Sequence, residues 1–251
     1  MTNLDALLAG IVQEPREETR WLVLADWLEE YDDPRRAELL RLHRRLLATC
    51  CEPWKHAERA EWQARMTDLL IAGVRPCVPQ ETLMLPGGVP MTFSFIPPGA
   101  FLMGSEKGEE NEKPIRRVEL LSGFFLGIHP VTRAQWAAVT GAPPRAIEYY
   151  YPENDNPVEN LPAESAGEFC TKLSDLFGRC LELPTEVEWE YACRAGTTTE
   201  YYFGETINTD IVNHCPDDRY GPPVGLYRRT ATPPGMFPPN PWGLCDLHGN
   251  L

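Results

Sequence analysis

Leu183-Pro184-Thr185-Glu186-Val187-Glu188-Trp189-Glu190-Tyr191-Ala192-Cys193-Arg194-Ala195-Gly196 reads as one helix carrying its own start and stop. Thr185 and Glu188 have capping-box spacing, and Glu186 and Glu188 lie in the first turn, where the helix dipole favours acids. Gly196 stands at the position where a left-handed residue ends a helix. Toward the N-terminus, a helix is predicted from about Glu164 to Phe177, stopped by Gly178. Thr132 caps a short helix over Arg133 to Thr140, stopped by Gly141. Met91 to Phe95 alternates as a strand, with Phe93 and Phe95 facing one way. Ile96 to Gly104 reads as turn then strand, and Arg117 to Ile128 as extended chain. Beyond Gly196 only turns and short extended pieces are expected.

The first seventy residues differ in kind. Pro is scarce there, and Leu4, Leu7, Leu8 and Ile11 fall on one helical face. Trp21, Leu24, Trp27 and Leu28 form a second stripe. Asp33-Pro34 opens a third helix carrying Leu39, Leu42 and Leu46, and Trp62, Met66, Leu69 and Leu70 mark a fourth that ends at Gly73. The chain's 19 Gly and 25 Pro exceed the roughly 12% of average usage and concentrate after Arg75. The expectation is an α+β protein: a helical module over 1–73, a linker over 74–86, and a loop-rich mixed α/β domain over 87–251.

Lys and Arg number 23 against 37 Asp and Glu, a net charge of −14. That acidity argues against an electrostatic hold on nucleic acid or an anionic membrane. No apolar run is long enough to cross a bilayer, and Met1-Thr2-Asn3-Leu4-Asp5 lacks a basic leader, so a cytoplasmic protein is expected. The 8 Cys show no Cys-x-x-Cys spacing and are expected as reduced, mostly buried thiols; Cys50 and Cys51 are too close for an ordinary disulfide. His43, among Arg41, Arg44 and Arg45, is expected on a solvated face. His214-Cys215 with Cys245-x-x-His248 is a conceivable soft-metal set of unusual spacing. The acids at 186, 188 and 190 read as capping and surface charge. Nucleophile triads and phosphate-binding loops are absent, so the residues alone name no catalytic site.

Two segments resemble known families. Leu4 to Ile11, Trp21-Leu22-Val23-Leu24-Ala25-Asp26-Trp27-Leu28-Glu29-Glu30 and Asp33 to Leu42 resemble the short repeat-companion domain of planctomycete-type bacterial proteins, to which no activity is attached. The second match is larger. Ile96-Pro97-Pro98-Gly99-Ala100-Phe101-Leu102-Met103-Gly104-Ser105, Pro130-Val131-Thr132, Glu168-Phe169-Cys170, the segment 183–196 and Phe237-Pro238-Pro239-Asn240-Pro241-Trp242-Gly243-Leu244, with His248-Gly249-Asn250, resemble the formylglycine-generating enzyme, or sulfatase-modifying factor, family.

The resemblance implies a C-type-lectin-like fold and O2-dependent oxidation of a cysteine, within a Cys-x-Pro-x-Arg-like motif of a sulfatase polypeptide, to formylglycine. It implies Cu(I) held by two thiolates, a soft ion on soft ligands. It also implies calcium, with Asn213 and the His214 carbonyl matching one site and Asp246 and Gly249 another. Cys170 and Cys193 match positions that pair with later cysteines in some members. Pro162-Ala163 and Glu182 depart from the family pattern. The family continues past Asn250 into Val-Trp-Glu-Trp, Arg-Gly-Gly-Ser and the copper-binding cysteines. By that match the copper ligands lie beyond Leu251, the last residue of the sequence, and no catalytic residue is assigned within it. The expectation is therefore a truncated member, inactive on its own, or alternatively a non-catalytic lectin-like module docking peptide or protein. An iron-dependent sulfoxide synthase is disfavoured, because the helical module offers only His43 and His56.

Overall fold

Four helices open the chain in the computed structural model, which describes residues 2–142, 155–214 and 225–250. They are α1 (Asn3–Gln13), α2 (Glu18–Tyr31), α3 (Pro34–Thr49) and α4 (Arg59–Ile71). Their starts follow from local chemistry. Thr2 and Asp5 form a capping box on α1, and the Asp33 carboxylate accepts the Arg35 N–H ahead of Pro34 at the first turn of α3. No helix among the described residues is long and apolar enough to cross a membrane.

The strands follow. β1 (Gln80–Leu85) and β2 (Val89–Ile96) form an antiparallel hairpin, and β5 (Phe124–Gly127) pairs with the other edge of β2. β3 (Gly99–Met103) and β4 (Arg116–Leu120) form a separate two-stranded ribbon. β1 corrects the reading of 74–86 as a linker: Leu83 and Leu85 alternate inward, and Gly87 and Gly88, both at positive φ, turn the chain back into β2. Three more helices complete the regular structure: α5 (Arg133–Thr140), α6 (Ala163–Phe177) and α7 (Glu186–Arg194). The Thr132 and Thr185 capping boxes are both formed, and Gly141 and Gly178 end α5 and α6 in left-handed conformation.

The helical segment is not a free-standing appendage. One buried cluster joins Ile11, Trp21, Leu24 and Leu28 of α1 and α2 to Ile96, Phe101 and Leu120 of the strands, to Tyr191 and Ala192 of α7, and to Trp242 and Leu244 of the tail. A second cluster, including Leu39, Leu46, Met66 and Leu70, ties α3 to α4. A third packs α5 and α6 on β1 and β2, where Trp136 stacks on Phe169 at 5.3 Å.

His43 corrects another expectation. It is 1% exposed rather than solvated, and its ring meets Trp242 edge-on at 4.2 Å. The three arginines near it in sequence point its face outward on paper. The seam with the tail, about 200 residues away, takes the imidazole inward.

The tail is pinned by one amide. Asn240 is fully buried; its Nδ2 donates to the Ala192 carbonyl at 2.7 Å, and its Oδ1 accepts the N–H groups of Trp242 and Leu244 at 3.0 and 3.1 Å. Ser94 Oγ of β2 donates to the Trp242 carbonyl at 2.6 Å. The Phe237–Leu244 motif is therefore a fastening between α7, the sheet and the helical segment.

Candidate functional site

A cleft of about 940 Å³ opens between α7, the chain joining β3 to β4, and the segment 197–205, with His248 at its base. α7 divides its residues between two sides. Tyr191, Ala192 and Ala195 are buried in the core, while Trp189, Glu190, Cys193 and Arg194 face the cleft at successive helical turns.

Glu190 does more than the surface charge expected of it. Its Oε1 accepts the Gly104 N–H at 2.9 Å and Arg194 Nε at 2.7 Å, and Arg194 in turn donates to the Gly104 carbonyl at 2.8 Å. The pair thus clasps both polar groups of one residue at the end of β3. Gly104 sits at φ +99, and a side chain there would run into the Glu112 carbonyl, so glycine is required.

At the floor, Cys193 Sγ lies 3.6 Å from His248 Nε2, which also accepts the Tyr202 N–H at 3.3 Å. The Tyr202 N–H, donating to Nε2, leaves the ring proton on Nδ1. Tyr201, Tyr202 and Phe203 pack around the imidazole, with centroids 5.1 to 5.5 Å away. Burial pushes the Cys193 thiol up to about 12; burial first, then Arg194, brings His248 down to about 4. The pair is thiol and neutral imidazole at neutral pH, not thiolate and imidazolium, and so is a poor nucleophile.

The cleft walls carry an excess of acid. Glu106, Glu112, Glu186, Glu190, Glu200 and Glu205 face Lys107, Lys113, Arg116 and Arg194. Lys107 is taken by Glu205 at 3.3 Å, Lys113 by Glu110 at 3.0 Å, and Arg194 by Glu190. Trp189 is 44% exposed at the rim, a large apolar ring beside these carboxylates.

The residues expected from sequence as metal ligands do not gather here. Cys215 lies outside the described residues. Cys245 lies half-buried elsewhere, with its N–H donating to the Ile128 carbonyl at 2.7 Å, and His248 meets Cys193 instead. Among the described residues no group of three or more His, Cys, Asp or Glu is placed to hold a metal.

The calcium positions form a hydrogen-bonded corner. The Asn213 carbonyl accepts the Asn250 N–H at 2.7 Å, and Asn213 Nδ2 donates to Thr230 O at 2.8 Å and to Asn250 Oδ1 at 3.0 Å. Asp246 Oδ2 accepts the Gly235 N–H at 2.9 Å, Gly249 packs against Asn213, and buried His214 Nδ1 has no partner. Calcium takes six to eight oxygens. Here the Asn213 carbonyl and Asp246 Oδ2 each already hold an N–H donor, and Asp246 is the one carboxylate of the four, so these four residues by themselves fall short of such an oxygen set.

Copper fares no better. The thiolates that the resemblance implies for it would follow Leu251, itself outside the described residues, so the fit falls to the cysteines that the structure describes. Cys193 is the one among them that lines the cleft, and it is a buried thiol. Cys170, on α6, is raised by burial and lies among the residues packed beside the third cluster.

Sequence reading missed the Glu190–Arg194 clasp and the Cys193–His248 contact. The i, i+4 spacing of the first was visible; its partner Gly104 was not. Nothing local signalled the second.

The fold and cleft define a loop-rich mixed α/β domain whose best-formed helix presents polar groups to a large open site. A family model described as the sulfatase-modifying factor enzyme 1-like domain matches residues 87–251, and the chain belongs to that family. Among curated relatives, serine/threonine-protein kinase pkn1 of Chlamydia caviae is 29% identical over 176 residues, covering 62% of this chain and 26% of the kinase. The formylglycine-generating enzyme of Mycobacterium tuberculosis is 26% identical over 216 residues, covering 62% of this chain and 70% of that enzyme. The chain thus spans about a quarter of the kinase's length. Among solved structures, Treponema denticola variable protein 1 superposes with a TM-score of 0.55 at 21% identity, over 68% of this chain and 74% of that one, a likeness of fold alone.

Proposed function

We propose that this protein uses the cleft to bind an extended polypeptide segment of the sulfatase type, and that the residues lining it hold the peptide rather than oxidise it. One observation carries the reading: an open, acid-rich cleft of about 940 Å³ with an exposed Trp189 at its rim and a neutral thiol at its floor. An arginine-containing peptide suits such a wall, through carboxylates for its guanidinium and an indole for stacking. The activity that names the family calls on Cu(I), which a pair of thiolates would hold. Cys193 is a single protonated thiol, so no step through copper is derived for the residues described. The domain division proposed alongside is a binding domain from about residue 80, with the helices before it as an integral part of its core.

The test is fluorescence anisotropy with a fluorescein-labelled peptide containing Cys-Ala-Pro-Ala-Arg. Saturable binding that weakens about tenfold in Trp189→Ala is expected, a loss of ~1.4 kcal/mol and typical of a stacked aromatic contact. Binding unaffected by Trp189→Ala, or no binding at all, would overturn the reading. A parallel incubation with Cu(I) and O2, followed by mass spectrometry, should return the peptide thiol unchanged. Conversion to an aldehyde would replace the binding role with catalysis.

A further inference from the structure

Three side chains of the helical segment converge on the residues just past the end of α7. Arg59 of α4 donates to the Gly196 carbonyl at 2.8 Å, while its other amino group holds the Leu46 carbonyl at 2.8 Å and the Thr49 hydroxyl of α3. The buried ring of His43 lies beside the backbone of Ala195. Gln63 reaches the Thr199 hydroxyl. The close approach has a backbone signature as well: Ala195 and Gly196 are both left-handed, and a side chain on Gly196 would stand 3.0 Å from the Leu47 amide nitrogen.

This arrangement answers a physical need at the end of α3. Its last carbonyls lack partners inside the helix and carry the negative end of its dipole. Arg59 is only 6% exposed, and its guanidinium is bonded to the Leu46 carbonyl in the last turn of α3 and to the Gly196 carbonyl two residues past α7, which supply the compensation a buried cation requires. One cation therefore ties the end of α3 to the chain leaving α7. α7 carries Cys193 on its cleft side, three residues before Gly196, and Thr199 itself lines the cleft.

We propose that Arg59, supported by His43 and Gln63, is a positioning residue for the cleft: it sets how α7 sits and thereby the contact between Cys193 and His248. The inference rests on the reading of the cleft as the working site. Its consequence is that the helical segment is a built-in regulator of that site, since anything that shifts α3 or α4 is transmitted through two hydrogen bonds to α7.

The test needs no peptide. Full-length protein is labelled with iodoacetamide, and the rates at Cys193 and Cys77 are read by mass spectrometry relative to exposed Cys180. In Arg59→Met the Cys193 ratio should rise about fivefold or more through local opening, with the Cys77 ratio within about twofold of wild type. Arg59→Lys, which keeps one donor and the charge, should return part of the protection. A Cys193 ratio unchanged in a folded Arg59→Met protein would overturn the proposal. So would a Cys77 ratio rising in step with it, because the residue would then act on stability alone. Should Arg59→Met not fold, Gln63→Ala carries the same test at about threefold, with the same contrary outcomes. A cleft that responds in labelling yet binds no peptide would sink the peptide reading and leave this one standing.

Discussion

The seam around Trp242 and the cleft around Trp189 lie on opposite sides of the same nine-residue helix, α7, and are built on opposite rules. At the seam, rings and aliphatic side chains exclude water and the backbone groups are paired through Asn240, Ser94 and Arg59. At the cleft, carboxylates outnumber cations and an indole stands in solvent. The contrast teaches that stability and recognition are divided across one helix. The seam fixes where α7 lies; on the cleft side Glu190 and Arg194 hold Gly104, while Trp189 is left to solvent.

The hardest blow to that division is a matched pair of substitutions. Asn240→Ala leaves the Ala192 carbonyl and the Trp242 and Leu244 N–H groups buried without partners, at a cost of about 3 kcal/mol or more. Trp189→Ala, half-exposed, should change stability by no more than about 0.5 kcal/mol. Urea titrations of both variants decide it, and equal losses would erase the distinction.

The next effect is titration of the seam. Burial, then Arg44, brings His43 down to about 3 in the folded state against 6.5 for the free group. The unfolded chain therefore takes up the proton first. Stability is intact above pH 6.5 and falls as pH drops toward 3, by up to ~1.4 kcal/mol per pH unit. His43→Gln should flatten that slope in urea titrations at pH 7, 5 and 4. His248 contributes a similar slope over a narrower window that closes near 4, so the variant should retain a residual slope. An undiminished slope in His43→Gln would show that the seam histidine is not what titrates.

Smaller again is the cap that both regions share. Thr185→Ala removes a capping box at the start of α7 and should cost about 1 kcal/mol. The loss should appear in the melting temperature without altering the Cys193 to Cys180 labelling ratio, since the cap lies at the far end from Arg59. Smallest of all is calcium. With the Asn213 carbonyl and Asp246 Oδ2 already engaged by N–H donors, adding calcium or a chelator should leave the thermal midpoint unmoved. A calcium-dependent rise would mean that the corner at Asn250 rearranges around the ion.

What could be read from the sequence was what short-range chemistry controls. Thr185 with Glu188, Thr132 before Gln135, and Asp33 before Pro34 each signalled a helix start that the structure forms, because a cap and its target lie within one turn. The family motifs were legible for the same reason. β1 was missed because Gln80–Leu85 shows its alternation over only two buried positions. The fate of His43 could not be read at all: the helical stripe shows that a face is apolar but not what covers it. Here the cover comes from Trp242, far along the chain. Of the cleft, the helix was legible and its floor was not, since Cys193 meets His248 across 55 residues of chain.

The shared core also carries a cost in time. Trp21, Leu24 and Leu28 emerge early in synthesis, yet their cover includes Trp242 and Leu244 near the other end. At the ribosome's pace of about 5–20 residues per second, those apolar surfaces wait roughly 10–40 s for their partners. The nascent chain must stay soluble through that interval, and a dense, charged exterior on α2 and α3, with Arg41 bridging Asp26 and Glu29 and Arg44 meeting Glu18, is suited to keeping the unfinished protein from finding a neighbour first.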